Sequence, residues 1–434
     1  MTDLSAITSK CDASIYKIYA KEDAEKMFSG KNIYIWGAGQ KGRGFLMALL
    51  RNGFTVQAFL DSNSSLIGGS YQNIPIIHPD TLFNDPSQSN NAFILTASVD
   101  SKHKEMFSIC EQHGFKKGDN YENIQTLSPF YPTVEITGVC NLRCASCPRG
   151  NIDSPLENGD FMKASNYEMV VDKMITEIPF LYLIDLYMWG EPILNKDLPE
   201  IIRTNTSRGI ASGLSTNLNS IRNLSEVIKA SPAQIRVSLS GASSKTYDIT
   251  HDGGQWKRVH RNLYKLSSLI KEHKADTLVE VYFHVYKHNI KDYPVLRKLC
   301  AELDFHLVPS IAMLFPDYAI DNVRGIPFSE RTQNVHDLML IDLQDLLEDA
   351  KKQDDKMCLL TRVFPVINWD MSVMPCCNYS YSSLNTNFLD TPLNELIQSR
   401  TTSNQCTECQ SHSLHRYFNP VFYTDYINQI ISQE

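Results

Sequence analysis

Three closely spaced cysteines constrain the fold and chemistry of this chain more than any other feature. Cys140, Cys144 and Cys147 stand in a C-x3-C-x2-C spacing, so a single loop could hold one metal centre. Thiolates at this density suit soft metal centres, chiefly zinc and iron–sulfur clusters. A structural zinc site is normally closed by four protein ligands, whereas a four-iron cluster held by three thiolates leaves one iron open. The spacing therefore favours an iron–sulfur cluster over zinc in this loop.

The residues around this loop predict a parallel β/α barrel. The sequence TVEIT before Cys140 is rich in β-branched residues, so the cysteines should follow the C-terminal end of a strand, where α/β barrels place their chemistry. From Thr133 to about Pro309, predicted strands alternate with predicted helices, which is the pattern of a parallel sheet.

Two of the predicted barrel strands carry polar residues at every second position. These residues are Arg236, Ser238 and Ser240 in QIRVSLSG, and Glu280, Tyr282, His284 and Tyr286 in VEVYFHVY. A parallel strand that is buried on both faces should be almost wholly apolar. The polar face therefore predicts a barrel interior that contacts a polar ligand, and the alternative is a solvated face on an incomplete barrel.

The cysteine loop resembles the cluster-binding loop of the radical S-adenosylmethionine (radical SAM) superfamily. The resemblance implies a [4Fe–4S] cluster on Cys140, Cys144 and Cys147 whose open iron binds SAM. Reductive cleavage of SAM then releases a 5′-deoxyadenosyl radical, which abstracts a hydrogen atom from the substrate. The family usually has an aromatic residue just before the third cysteine, and this chain has Ser146 there.

Motifs after the cysteine loop extend the resemblance in the order and spacing of the family. The sequence MWGEP, with Glu191 in its fourth position, resembles the GGEP motif and has Trp189 in place of the first glycine. The resemblance implies that Glu191 accepts a hydrogen bond from the amino group of SAM. It also implies SAM contacts at the next two strand ends, from Ser215, Asn217, Ser238 and Ser240.

The N-terminal third contains a dinucleotide-binding fingerprint in its usual context. The segment KNIYIWGAGQKGRGFLMALLRNGFTVQAFLD predicts a strand, a glycine turn, a helix and a second strand ending at Asp61. Gly37 would allow the tight turn, Gly39 would let a phosphate approach the backbone, and Gly42 completes the motif at the start of the helix. Asp61 could accept a hydrogen bond from a ribose hydroxyl. A purely structural or docking module is the alternative.

The sequence that follows this fingerprint narrows the expected ligand. GGSYQNIPIIHPDTL resembles part of the N-terminal domain of sugar-nucleotide acyltransferases and related polysaccharide-biosynthesis proteins. The resemblance favours a nucleotide-linked sugar over NAD as the ligand of this domain.

A second group of cysteines near the C-terminus resembles the SPASM and twitch extensions of radical SAM enzymes. The segment NWDMSVMPCC predicts a β-hairpin, with Met371 where those extensions have a glycine. Neighbouring strand residues point to opposite faces, so Cys376 and Cys377 should not both bind one metal centre. The resemblance implies one auxiliary [4Fe–4S] cluster, with zinc as the alternative, on Cys358, Cys376, Cys406 and Cys409.

Composition excludes several classes of partner. The net charge of −8 leaves no basic excess for phosphates, so we expect no nucleic-acid partner. No apolar run is long enough to span a membrane, and the first residues lack the apolar core of a signal peptide. Clustered cysteines without a leader indicate metal ligation in a reducing cytoplasm.

The sequence thus predicts an α/β protein of three domains. These are a Rossmann-like nucleotide-binding-type domain at residues 1–126, a partial (β/α)6 TIM-type barrel at 127–335, and a small SPASM/twitch-like Fe–S cap domain at 336–434. The resemblance implies an oxidoreductase or isomerase that abstracts hydrogen from a small polar substrate, favoured to be a sugar or nucleotide-linked sugar in polysaccharide or natural-product biosynthesis. Such an enzyme needs an electron donor such as flavodoxin or ferredoxin.

Three residues are candidates for completing the reaction after hydrogen abstraction. His284, which should titrate near neutrality, could take the proton released in a dehydrogenation. Tyr286 or an unligated Cys377 could instead return a hydrogen atom in an epimerisation. The ring residues could equally fill the barrel interior. Two other hypotheses remain: a peptide-modifying SPASM maturase, and a non-catalytic Fe–S or zinc protein that binds a nucleotide or a partner.

Overall fold

The computed structural model describes residues 17–97, 100–144, 146–151, 159–352, 358, 360–378, 383–417 and 424–432. The chain divides into two compact units. The first comprises Met1–Tyr131, Val171–Ile184 and Asn205–Ala211, and the second comprises Pro132–Val170, Asp185–Thr204 and Ser212–Glu434. The three domain limits inferred from the sequence stay a prediction.

The N-terminal sheet has six strands in the order β3-β4-β2-β1-β5-β6. Its strands are β1 (Asn32–Trp36), β2 (Val56–Leu60), β3 (Ser70–Tyr71), β4 (Ile74–Ile77), β5 (Ala92–Thr96) and β6 (Tyr121–Asn123). Its pairs are parallel except β3 with β4. The accompanying helices are α1 (Lys21–Met27), α2 (Gln40–Arg51), α3 (Pro79–Phe83), α4 (Pro86–Ser89), α5 (Asp100–Gln112) and α6 (Ile124–Leu127). The predicted order of strand, glycine turn, helix and strand is therefore present.

The second sheet has eight strands in the order β12-β11-β10-β9-β8-β7-β13-β14. These strands are β7 (Thr133–Val134), β8 (Leu183–Asp185), β9 (Ala211–Thr216), β10 (Gln234–Leu239), β11 (Leu278–Val285), β12 (His306–Ile311), β13 (Val366–Ile367) and β14 (Val373–Met374). Six strands, β7 to β12, lie side by side in chain order. β13 pairs in parallel with β7, and β14 turns back against β13. The C-terminal hairpin predicted from NWDMSVMPCC thus extends the sheet that carries the cysteine loop.

Helices alternate with these strands and continue into the C-terminal region. They are α7 (Pro148–Asn151), α8 (Ala164–Glu177), α9 (Leu198–Ser207), α10 (Leu224–Lys229), α11 (Ser244–Thr250), α12 (Trp256–His273), α13 (Tyr293–Leu303), α14 (Pro316–Val323), α15 (Glu330–Leu338), α16 (Leu343–Lys351), α17 (Leu360–Val363), α18 (Leu393–Thr401), α19 (Asn404–Ser411), α20 (Leu414–Tyr417) and α21 (Thr424–Ile431). Short 3-10 helices occupy Pro192–Leu194 and Ile290–Asp292. No described helix is both long and apolar enough to cross a membrane.

The predicted alternation of β10 and β11 is confirmed. In β10 every second residue is fully buried and the residues between are partly accessible, and β11 follows the same pattern except at Tyr282. Register pairs Arg236 with Glu280 and Ser238 with Tyr282, so the polar residues form rows across neighbouring strands. The predicted fold class is likewise confirmed as mixed α/β with parallel sheets.

Candidate active site

The cysteine loop begins six residues after β7, at Cys140. Cys140, Cys144 and Cys147 are partly accessible thiols, and the Cys147 N–H donates to the Cys144 carbonyl at 3.1 Å. Burial raises the pKa of Cys140 to about 12, and burial together with the two neighbouring thiols raises the pKa of Cys144 well above its usual value. The three thiols therefore lie close enough for the charge of one to affect the ionisation of its neighbours.

The donor set of this loop fits a cluster by its chemistry. Among the described residues, no three His, Cys, Asp or Glu side chains are already placed to hold a metal ion. However, three thiols on one loop are a set that a soft metal centre would bind as thiolates, and burial and the neighbouring thiols raise the pKa of two of them, Cys140 and Cys144. The loop therefore fits a [4Fe–4S] cluster on Cys140, Cys144 and Cys147.

The MWGEP motif packs directly against the strand end that leads into this loop. The Glu191 N–H donates to the Val139 carbonyl at 2.8 Å. A Cβ at Gly190 would overlap the Thr137 carbonyl oxygen, so only glycine fits there. The glycine of the motif is thus explained by the close approach of its backbone to that of Thr137 and Val139, just before Cys140.

The Glu191 carboxylate lies beside the loop and is already hydrogen-bonded. Its two oxygens accept from the backbone N–H groups of Asn217 at 2.7 Å and Ile193 at 3.1 Å. Burial raises its pKa to about 7 against these hydrogen bonds. Each carboxylate oxygen has more than one acceptor position, so the carboxylate can still accept from an amino group of SAM.

A second buried carboxylate, Glu135, was not identified from the sequence. It accepts from the N–H groups of Trp189 and Gly190, the latter at 3.0 Å, and its Oε1 has no hydrogen-bond partner among the described residues. Burial raises the pKa of Glu135 to about 7, and the charge of Arg149 partly opposes the shift. Arg149 donates to the Trp189 carbonyl at 3.0 Å and to the Gly138 carbonyl. An acidic residue inside the β-branched run TVEIT was the available sequence signal.

Of the residues that the resemblance assigns to SAM, Asn217 lies closest to the cysteine loop. Its side-chain amide donates to the Asn141 Oδ1 at 2.9 Å and contacts the Cys140 Sγ at 3.7 Å. Ser215 and Ser238 are partly accessible on β9 and β10. Ser240 is buried, and its hydroxyl is hydrogen-bonded to Thr250 and to the His251 Nδ1 at 2.6 Å.

Polar side chains of β8, β10 and β11 form a cluster on the partly accessible face of the second sheet. The Arg236 guanidinium lies 3.7 Å from the centre of the Tyr282 ring, and its Nε has no hydrogen-bond partner among the described residues. Gly213 leaves room for the Asp185 carboxylate, since a Cβ there would overlap Asp185 Oδ1. Burial raises the pKa of Asp185, and the charge of Arg236 partly opposes this shift.

The two catalytic candidates on β11 differ in their surroundings. Burial, and then the charge of Arg236, lowers the pKa of His284 to about 3, so the expectation that it titrates near neutrality is wrong for the ligand-free protein. Tyr286 reaches the cysteine loop instead, where its hydroxyl donates to the Ser146 Oγ at 3.1 Å. Burial raises the pKa of Tyr286 to about 12, so it is a neutral phenol.

Cys377 lies on the apolar side of the C-terminal hairpin, together with a cysteine of the first loop. Both Cys377 and Cys147 pack against a cluster of Trp189, Val366 and Met374. Cys377 is only half-buried, whereas its neighbour Cys376 is almost fully buried.

The other C-terminal cysteines are buried thiols in the same unit. Cys358, Cys376, Cys406 and Cys409 are each less than a tenth exposed. Burial, followed by the neighbouring Cys376, raises the pKa of Cys358 to about 12. Cys406 and Cys409 lie one turn apart on α19. Met371, at the hairpin turn, adopts a left-handed conformation with φ of +68°, the conformation that a glycine would take most easily.

The glycine turn of the N-terminal unit is held by its own residues. Gly37 has φ of +117°, and a Cβ at Gly42 would overlap the Gly37 carbonyl, whereas Gly39 faces open space. The Asp61 carboxylate accepts from the Ala38 N–H at 2.8 Å, so in the ligand-free protein it stabilises the turn.

Comparison with known proteins gives three concordant results. The family model "Radical SAM superfamily" matches residues 134–292. A tungsten-containing aldehyde ferredoxin oxidoreductase cofactor-modifying protein of Pyrococcus furiosus is 26% identical over 262 residues, covering 58% of this chain and 72% of that protein. An AdoMet-dependent heme synthase of Methanosarcina barkeri is 28% identical over 184 residues, covering 41% of this chain and 50% of that protein.

Among solved structures, SuiB of Streptococcus suis bound to S-adenosylmethionine aligns with a TM-score of 0.45 and 12% identity, over 72% of this chain and 79% of that one. The residues matched by the family model include the whole three-cysteine loop and the GEP motif that packs against it. This chain is thus an enzyme that contains a radical SAM domain at residues 134–292.

Proposed function

We propose that this enzyme abstracts hydrogen from a small polar substrate, a sugar or nucleotide-linked sugar, and that the product is an oxidised or epimerised sugar of polysaccharide or natural-product biosynthesis. The observation that carries the proposal is the polar, partly accessible face of β10 and β11. An apolar substrate would leave the buried Arg236 Nε, which has no hydrogen-bond partner among the described residues, unsatisfied, whereas a hydroxyl or phosphate oxygen can accept a hydrogen bond from it.

The bound cluster and SAM would supply the 5′-deoxyadenosyl radical, and Cys140, Cys144 and Cys147 would hold that cluster. Glu191 and Asn217 would orient SAM beside them. Because the Arg236 Nε lacks a partner among the described residues, we assign this guanidinium to an anionic or hydroxyl group of the substrate.

Two outcomes are open to the substrate radical. Dehydrogenation requires the substrate radical to lose one proton and to pass one electron to an acceptor, for which the auxiliary cluster proposed below is the candidate, and epimerisation requires the return of a hydrogen atom. His284 is neutral at physiological pH and would hydrogen-bond to the substrate, acting at most as a weak proton acceptor. Tyr286 and Cys377 are the candidates for hydrogen-atom return, and both lie close to cysteines of the first loop.

We further propose an auxiliary [4Fe–4S] cluster on Cys358, Cys376, Cys406 and Cys409. Four buried thiols, carried by α19 and by the segments beside α17 and β14, support a closed metal site. Zinc is the competing occupant because it accepts the same four ligands.

The N-terminal unit is proposed to bind a nucleotide or a nucleotide-linked sugar at Gly37, Gly39, Gly42 and Asp61. Open space beside Gly39 supports this assignment. Asp61 would have to share its carboxylate between the Ala38 N–H and a ribose hydroxyl. An external donor such as flavodoxin or ferredoxin would supply the electron for SAM cleavage, in the cytoplasm.

The test is SAM cleavage by the anaerobically reconstituted protein with a panel of nucleotide-linked sugars. We expect eight irons per chain and 5′-deoxyadenosine formation that increases when the correct sugar is present. The Cys140→Ala, Cys144→Ala, Cys147→Ala triple variant should lose four irons and all 5′-deoxyadenosine. A triple variant that still cleaves SAM would refute the assignment of this loop, and a panel without effect would refute the sugar substrate.

A second candidate is the modification of a peptide or cofactor. It is favoured by the Pyrococcus furiosus relative, which is described as a cofactor-modifying protein. Deuterium transfer from a labelled substrate into 5′-deoxyadenosine distinguishes the candidates, because only the true substrate class donates its label.

A further inference from the structure

A buried arginine, Arg400, contacts the segments that carry two of the C-terminal cysteines. Arg400, on α18, is fully buried, with no exposed surface. Its guanidinium donates to four backbone carbonyls: Thr361 at 2.8 Å, Phe364 at 2.5 Å, Pro375 at 2.9 Å and Met374 at 3.1 Å. No carboxylate among the described residues forms an ion pair with it.

These hydrogen bonds join the segments that carry the proposed cluster ligands. Thr361 lies three residues after Cys358, and Pro375 immediately precedes Cys376. At the other end, the Arg400 carbonyl accepts from the Ser403 hydroxyl at 3.0 Å, and Ser403 caps the Cys406 N–H at 3.2 Å. One side chain and one cap thus fix the relative positions of three ligand-bearing segments.

The charge of Arg400 also requires a partner. A buried cation costs several kcal/mol unless an anion compensates it, and carbonyl oxygens compensate only in part. Burial lowers the pKa of Arg400, and negative charge on Cys376, Cys377, Cys406 or Cys358 opposes that shift. Four thiolates around a [4Fe–4S] centre of charge 2+ carry a net charge of 2−, which is the missing compensation.

We propose that Arg400 is the positioning residue and counter-charge of the auxiliary cluster, and that it raises the reduction potential of that cluster. The inference rests on the proposed auxiliary cluster. One-electron reduction makes the centre more negative by one charge, and a fixed cation nearby stabilises the reduced state more than the oxidised state.

The test uses the full-length protein with Cys140, Cys144 and Cys147 changed to alanine, so that only the auxiliary site can hold iron. Iron and zinc are counted first. The reduced cluster is then followed by electron paramagnetic resonance during titration with dithionite, with Arg400 intact, as Arg400→Met and as Arg400→Lys.

We expect four irons with Arg400 intact. In Arg400→Met, the ratio of reduced to oxidised cluster at a fixed potential should fall about tenfold, which is about 59 mV for a one-electron couple. Arg400→Lys keeps the positive charge, so its reduction potential should shift by less than half of the shift in Arg400→Met. Failure of Arg400→Met to retain iron while Arg400→Lys retains it would also support the proposal.

The matched control is Arg51→Met in the N-terminal unit. Arg51 also donates to four backbone carbonyls, those of Arg208, Gly209, Pro179 and Leu181, but no thiol influences its pKa, which burial lowers to about 10. The Arg51→Met variant should therefore leave the reduction potential of the auxiliary cluster unchanged.

The possible failures are distinguishable. An unchanged potential in an iron-loaded Arg400→Met variant would overturn the counter-charge role. Loss of iron from both variants would show that the forked hydrogen bonds matter and the charge does not. Zinc, or no metal, in the protein with Arg400 intact would instead refute the auxiliary iron–sulfur cluster itself.

Discussion

Two opposing effects act on the carboxyl group of Glu191: hydrogen bonds stabilise its charged form, and burial stabilises its neutral form. Its hydrogen bonds from the Asn217 and Ile193 N–H groups, at 2.7 and 3.1 Å, should contribute about 1.5–3 kcal/mol each when the group is charged. Burial raises its pKa from 4.5 to about 7. At about 1.4 kcal/mol per pKa unit, ionised Glu191 lowers the free energy of unfolding by about 3 kcal/mol.

The sign of the pH dependence follows from this raised pKa. The folded protein holds the proton more tightly than the unfolded chain, so the stabilisation is complete below pH 4.5 and is lost as the pH rises through 7. Glu191→Gln does not titrate, and its single amide oxygen can accept from only one of the two N–H groups. When the pH is lowered from 8 to 5.5, the free energy of unfolding of the wild type should therefore rise by about 2 kcal/mol relative to that of this variant.

The assay is urea unfolding of the metal-free protein, followed by tryptophan fluorescence, because Trp189 is buried beside the site. The wild type, Glu191→Gln and the control Glu200→Gln are compared at both pH values. Glu200 is exposed on α9, so its variant should follow the wild type within about 0.5 kcal/mol. Equal differences between wild type and Glu191→Gln at pH 8 and pH 5.5 would refute the raised pKa.

Three further predictions concern single contacts. Gly190→Ala should destabilise the second unit by about 1–3 kcal/mol and reduce iron loading, because the added Cβ overlaps the Thr137 carbonyl; iron content equal to wild type would contradict this. Tyr286→Phe and Ser146→Ala each remove the same hydrogen bond, so each should cost about 1 kcal/mol of unfolding free energy and the double variant no more; additive losses would show that the two side chains act independently. Met371→Gly should raise the free energy of unfolding by about 1 kcal/mol, because glycine adopts φ of +68° without the cost that methionine bears; a lower urea midpoint would argue that the methionine side chain contributes more by packing.

Elements with a strong local pattern were predicted well from the sequence. The strand, glycine turn, helix and second strand predicted before Asp61 are present as β1, the turn at Gly37, α2 and β2. The alternating burial of β10 also followed from the sequence, because side-chain direction in a strand depends only on position. The strand expected over TVEIT is shorter, since only Thr133–Val134 is regular before the chain turns toward the cysteine loop.

The residues that position the site could not be predicted in the same way. Glu135 and Arg400 act on backbone N–H and carbonyl groups of segments distant in sequence, and such contacts leave no periodic pattern. The pKa of His284 also depends on tertiary burial and on Arg236, which its own strand pattern does not reveal. A motif indicates which residues meet a cofactor, but the surrounding packing determines their charge.

The motif residues assigned to SAM also hold the cysteine loop in place in the ligand-free protein. The Glu191 N–H donates to the Val139 carbonyl in the loop that follows β7, and the Glu191 carboxylate accepts from the Asn217 N–H. The Asn217 side-chain amide in turn contacts Cys140. Loss of SAM cleavage in a variant of either residue therefore has two physical causes, a missing SAM contact or a displaced cysteine. Iron content separates them, because a displaced cysteine lowers cluster loading, whereas a missing SAM contact leaves the cluster intact and weakens only the affinity for SAM. A SAM-binding role for Asn217 thus requires a variant that retains four irons at the first loop and still binds SAM less tightly.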